Sequence, residues 1–183
     1  MSRGVAIACA IAAGFGCAPG AGGAAAAGGG CAQAGSTVGD ATLRETDHSV
    51  LCLVNRERAT RGLAPLRGSR TLTRSARSHS RDMVARRYFS HVSPNGASVR
   101  QRLVRAGYLR NGRQVAAVGE TITWTPAGPA ATPADLVRSF MRSAGHRAIV
   151  LDRGYRDIGI GLAHGAPVAG ASGATLTLTF GRR

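Results

Sequence analysis

Apolar residues first fall at helical spacing at Leu43, Val50, Leu51 and Val54, and Asn55-Arg56-Glu57-Arg58 continues the turn. This spacing predicts a first helix ended by Gly62, with Pro65 just beyond. A second helix can be capped by Ser69 or Thr71. Leu72, Ala76, His79 and Met83 share its apolar stripe, while Arg74, Arg77 and Arg81 lie off it. Tyr88-Phe89-Ser90-His91 leaves that helix, Ser93-Pro94-Asn95-Gly96 reads as a turn, and a short third helix over 98–106 stops at Gly107.

Residues 115–123 read as a strand carrying Gly119-Glu120, followed by a loop over 126–133. Thr132-Pro133-Ala134-Asp135 combines a threonine cap, proline at the first helical position and an acid at the third. The fourth helix so begun carries Leu136, Val137, Phe140 and Ala144 and is expected to end near Gly145-His146. Ile158, Ile160 and Leu162 alternate with other residues, as do Leu176, Leu178 and Phe180, which predicts two half-buried strands. Helices lead, strands are interspersed and the chain closes on strands. That order fits an α+β domain in which a sheet packs between helices.

The first residues follow a different rule. Met1-Ser2-Arg3 gives a short positive start, residues 4–15 are apolar but too few to span a bilayer, and a Gly/Ala-rich stretch follows. This is the layout of a secretory signal peptide. Residues 1–30 are therefore read as signal peptide and leader, 31–47 as an N-terminal arm and 48–183 as one domain, secreted to the outside. The run 24–27 would serve as a cleavage site, and so would 32–34. Gly16-Cys17 offers a lipoprotein alternative, weakened by Gly14 where a branched apolar residue is expected. Cys9 and Cys17 would leave with the leader. Cys31 and Cys52 would remain as an even pair and, in an exported protein, form a disulfide. Cleavage beyond Cys31 would instead leave Cys52 as a core thiol.

Charge narrows the partners. The 183 residues carry 24 Lys+Arg against 9 Asp+Glu, a net charge of +15, and every basic residue is arginine. Such a surface favours polyanionic surroundings: acidic cell-wall polymers or anionic lipid headgroups. The sequence has no basic helix followed by heptads, no zinc-finger spacing and no aromatic-interleaved pattern, so no specific nucleic-acid binding is expected. The chain is expected to act as a monomer.

Three ionisable residues fall on faces expected to point inward: His79 on its apolar stripe, Glu120 in an apolar strand and His146 at a helix end. Two imidazoles and a carboxylate make a set for a divalent cation such as zinc. A histidine beside a carboxylate can also act as a general base. Each has a plainer reading: a core histidine for His79, an exposed strand residue or a partner of Arg147 for Glu120, and a helix C-cap for His146.

The ordered motifs weigh against the plainer readings. Leu51-Cys52-Leu53-Val54-Asn55-Arg56-Glu57-Arg58, then Gly62-Leu63-Ala64-Pro65-Leu66, resembles the opening of bacterial domains of the CAP superfamily (cysteine-rich secretory proteins, antigen 5 and pathogenesis-related proteins). His79-Ser80-Arg81-Asp82-Met83, Tyr88-Phe89-Ser90-His91, Ser93-Pro94-Asn95-Gly96, Gly119-Glu120-Thr121, Ser143-Ala144-Gly145-His146-Arg147, Ile158-Gly159-Ile160-Gly161 and Phe180-Gly181 continue the resemblance over about 48–181. It implies a three-layer α-β-α sandwich with a mainly antiparallel central sheet. It also implies a cleft lined by His79, Glu120 and His146, with Ser90 and His91 as neighbours, able to hold zinc or another divalent cation. Departures are Thr121 for asparagine, Phe140 for tryptophan, Ile149-Val150-Leu151 for Asn-Ile-Leu, and the absence of any acid between Asp135 and Asp152.

The function expected is a non-catalytic extracellular binding module whose Arg-rich surface supplies adhesion. One alternative is a hydrolase, either metal-dependent or built from Ser90, His79 and Glu120. No Gly-x-Ser-x-Gly or His-Glu-x-x-His motif supports it. The other is an extracellular lipid or sterol binder, as some members of the superfamily are.

Overall fold

The structure is a computed structural model that describes residues 30–39, 42–110, 117–128 and 131–182. Residues 1–29, with the 24–27 cleavage site, lie outside the described residues, as does the start of the strand expected from residue 115. No helix among the described residues is long and apolar enough to cross a membrane.

The chain runs α1 (Leu43–Ala59), β1 (Arg67–Gly68), α2 (Arg70–Arg86), α3 (Val99–Arg105), β2 (Ala117–Pro126), α4 (Pro133–Arg142), α5 (Ala144–Val150), β3 (Asp157–His164) and β4 (Gly173–Arg182). Local chemistry sets the helix starts. Thr42 and Glu45 close a capping box on α1, Ser69 caps α2, Ser98 and Gln101 box α3, and Thr132 with Pro133 opens α4. The sheet order is β1-β3-β4-β2, antiparallel except where β1 meets β3. The result is the expected α+β sandwich, with α1, α4 and α5 on one face and α2 and α3 on the other.

Two details differ from the sequence expectation. The fourth helix does not run to His146. It stops at Arg142, and Ser143 leaves the helical region to cap the new helix α5, its hydroxyl accepting from the His146 N–H. His146 therefore stands in the first turn of α5 and is not a C-cap. The last two strands are also not half-buried. Thr175, Thr177 and Thr179 of β4 are as inaccessible as Leu176, Leu178 and Phe180, because helices cover both faces of the sheet.

The two faces are packed differently. The larger core, with Val50, Val54, Phe140, Ile158, Leu176 and Phe180, fills the side of α1 and α4. Toward α2 the sheet offers mostly small residues: Gly159, Gly161 and Ala163 of β3, opposite Thr179, Thr177 and Thr175. Ser80 on α2 bonds the Gly161 carbonyl and the Thr177 hydroxyl, both at 2.7 Å. A second small cluster, Leu72, Leu103, Tyr108 and Leu109, ties α2 to α3.

The described start of the segment read as an arm packs against the domain. Val38 is 3% exposed within the main core, its N–H donates to the Ala131 carbonyl at 2.8 Å, and Ala134 donates to the Ala34 carbonyl. Cys31 and Cys52 form the expected disulfide. Replacing both with serine is expected to lower the unfolding free energy by about 3 kcal/mol, the chain-entropy value for a loop of this length. Urea denaturation reads that loss; an unchanged midpoint would mean that the arm's own contacts hold it without the bridge.

Candidate functional site

Glu120 is fixed by strand register. It pairs with Thr179 of β4 and so shares the face covered by α2 and α3. The preceding Gly119 faces the opposite side, where a Cβ would stand 2.4 Å from the Tyr155 hydroxyl and 3.1 Å from Ile149. The glycine of the Gly119-Glu120 motif thus lets Tyr155 pack under β2, and the strand delivers its next residue into the cleft.

The Glu120 side chain is 2% exposed and surrounded by donors. The Arg102 Nη2 of α3 donates to both carboxylate oxygens, at 2.9 and 2.7 Å. His91 Nδ1 lies 3.0 Å from Oε1 and donates to it, while His79 Nε2 stands at 3.7 Å from the same oxygen. The other Arg102 terminal nitrogen donates to the His91 and Ala97 carbonyls, both at 2.9 Å. One guanidinium therefore clamps α3, the 91–97 loop and β2 together around a buried carboxylate, a charge-assisted contact of the strong kind.

His79 is fully buried. Its Nε2 lies 3.0 Å from the Ser90 carbonyl, so that nitrogen carries the proton and donates. Its Nδ1 faces the Tyr88 hydroxyl at 3.4 Å. Burial pushes its pKa below the ordinary histidine value, against the opposing pull of Glu120. The Ser90 hydroxyl accepts from the Val92 N–H at 3.1 Å, so it caps the turn while only the Ser90 backbone meets His79. A Ser90–His79–Glu120 relay is not assembled.

His91 is 48% exposed, unlike Glu120 beneath it. Its Nδ1 is bound to the carboxylate, and about half of the side chain is open to solvent. His146 comes from α5, which packs along β2. It rests edge-on against Phe140, ring centroids 5.4 Å apart. Burial first, and the nearby His91 second, hold its pKa below the ordinary value. Phe89 and Val92, 46% and 50% exposed, flank His91 on the same loop. The structure thus gathers His79 and His91 around the Glu120 carboxylate, with His146 near enough to feel the charge of His91.

The expected cation set does not fit a divalent ion in this arrangement. Both Glu120 oxygens are held by a guanidinium, His79 Nε2 is a donor, and its other nitrogen is turned to Tyr88. No group of three or more His, Cys, Asp or Glu side chains that could hold a metal ion occurs among the described residues. The residue that sequence reasoning missed is Arg102. Its signal is its position one turn after Val99 and one before Ala106, on the buried side of α3. In a chain with 24 basic residues, one more arginine gives no warning.

The model of the Cysteine-rich secretory protein family, CAP, matches residues 51–172. Uncharacterized protein YkwD of Bacillus subtilis (strain 168) is 32% identical over 126 residues, which are 69% of this chain and 46% of that protein. Uncharacterized membrane protein YlbC of the same strain is 33% identical over 118 residues, 64% of this chain and 31% of that one. The chain thus spans less than half the length of these curated relatives. Among solved structures, an extracellular protein containing a SCP domain from Bacillus anthracis str. Ames superposes with a TM-score of 0.61 at 23% identity, over 78% of this chain and 44% of that one. An outer surface protein of Borrelia burgdorferi gives 0.63 at 15% identity, over 78% and 96%.

Proposed function

Because the chain belongs to the cysteine-rich secretory protein (CAP) family, we propose that it works outside the cell as a non-catalytic binding module. The mouth of its Glu120 cleft takes a small ligand with an anionic or hydrogen-bonding head and a short apolar part. The observation that carries this reading is the sealed carboxylate. Glu120 is 2% exposed and held by Arg102, so it is placed to orient His91 rather than to activate a water or a hydroxyl.

His91 and His146 supply polar edges at the mouth, and the exposed Phe89 and Val92 supply apolar surface beside them. A few polar groups set in apolar surroundings are what small-molecule sites usually present. The serine hydrolase alternative loses support because Ser90 caps its own turn. The metal alternative loses support because the donors are already engaged.

Hexanoate, which joins a carboxylate to a short apolar chain, is a suitable probe. It is expected to shift the ring resonances of His91 and His146 saturably in NMR titration, and acetate to do so at least several-fold more weakly. p-Nitrophenyl hexanoate should be hydrolysed no faster than by free imidazole at equal concentration, with His91→Ala changing the rate little. Unshifted rings, or saturable turnover lost in His91→Ala, would reject the reading.

A further inference from the structure

The strongest remaining feature lies on the flank of α2 opposite His79. Arg70, Arg74, Arg77 and Arg81 recur at helical spacing. At about 100° per residue, all four project within about 40° of the direction opposite His79. The ladder rises about 16 Å from Arg70 to Arg81 at about 1.5 Å per residue.

The ladder forms one wall of a trough of about 800 Å³ whose other wall is α1, with Arg44, Asp47 and His48. The trough opens where β1 ends after Gly68, leaving the edge of β3 beyond Ile158 uncovered by a strand. Its floor includes Leu51, Ile158 and Ile160, and Ser69, Thr73 and Ser78 add hydroxyls. Asp47 is the one carboxylate among the lining residues, and it meets Arg77 at 2.6 Å. Arg44, Arg70, Arg74 and Arg81 are exposed, and no ion pair among the described residues engages them.

We propose that the trough between α1 and α2 binds a linear phosphodiester-linked polyol or sugar chain, successive phosphates meeting successive rungs of the Arg70–Arg74–Arg77–Arg81 ladder. Guanidinium groups match phosphate oxygens geometrically as well as by charge. A phosphodiester is tetrahedral at phosphorus, so its two free oxygens accept donors from many directions and can be gripped from both walls, whereas a carboxylate is planar and accepts mainly in its own plane. The serine and threonine hydroxyls suit a hydroxyl-rich backbone. No Phe, Tyr or Trp side chain lines the trough as a platform for successive bases, which disfavours single-stranded nucleic acid. The recessed floor disfavours a flat bilayer surface. The site does not depend on what the Glu120 cleft holds.

The test uses the full chain and fluorescently labelled poly(glycerol phosphate) at low salt, read by anisotropy. Arg74→Glu/Arg81→Glu is expected to weaken binding at least thirtyfold. Arg142→Glu/Arg153→Glu makes the same change of net charge on exposed residues outside the trough and should weaken it no more than about threefold. Asp47→Asn, which removes the carboxylate from the trough, should tighten it. Polygalacturonate, single-stranded DNA and anionic vesicles should each bind at least tenfold more weakly than the phosphate polymer, and circular dichroism verifies that every variant is folded. No binding, or equal losses in the two double variants, would overturn the proposal. So would equal binding of polygalacturonate, DNA or vesicles.

Discussion

Arg102→Met should destabilise the fold by about 3–5 kcal/mol, the usual result of removing one partner from a buried ion pair. Arg102 is 9% exposed, and its loss would leave the Glu120 carboxylate with His91 as its one close polar partner, besides His79 at 3.7 Å. The cost is the desolvation of an unpaired charge. Urea denaturation of wild type and variant reads its size. The double variant Arg102→Met/Glu120→Leu removes both charges and should recover most of the loss. A single variant within about 1 kcal/mol of wild type would show that the clamp contributes little.

Gly161→Ala is the second large effect. A Cβ there would stand 2.1 Å from the Arg77 nitrogen and 2.2 Å from the Ala76 carbonyl carbon, both α2 backbone. No flexible side chain can yield, so the helix must lift from the sheet. Lifting it would break the Ser80 bonds to Gly161 and Thr177 and move His79. The expected loss is at least about 3 kcal/mol, at the upper end of overpacking costs. Gly159→Ala should behave alike, since its Cβ would meet the Leu72 carbonyl carbon at 2.1 Å. Gly145→Ala is the control. A Cβ there meets nothing within 4 Å, and alanine should stabilise α5 slightly. Comparable losses at Gly145 and Gly161 would show that flexibility, and not helix–sheet contact, is what the glycines provide.

Much of the scaffold was legible in the sequence because it rests on short-range chemistry. Ser69 and Thr132, the caps read from the sequence, hold their helices through contacts within three residues, and the structure adds Thr42 and Ser98. The stripe of Leu72, Ala76, His79 and Met83 fixes which face of α2 is buried. The alternation at 158–162 and 176–180 marks the strands that became β3 and β4, and the Cys31–Cys52 pair followed from export and parity. Glu120 too could be picked out, as a carboxylate in an apolar strand.

Only the tertiary structure decided what happens to that carboxylate. Arg102 is 18 residues from Glu120 in the chain and reaches it because α3 packs over β2, which no local pattern encodes. The same packing puts His91 closer to Glu120 than His79 and turns the Ser90 hydroxyl back to its own loop. The packing of α2 on the sheet likewise buries the β4 threonines, since alternation reports one covered face and says nothing of a helix lying on the other. Arg74, Arg77 and Arg81 could be read as off the apolar stripe, yet they became one wall of a trough only when α1 came to stand across the sheet edge from α2. Caps and periodicity act within a few residues and survive in the bare sequence. Ion pairs across elements, shared faces and clefts depend on which surfaces meet, and that is settled when the whole core closes.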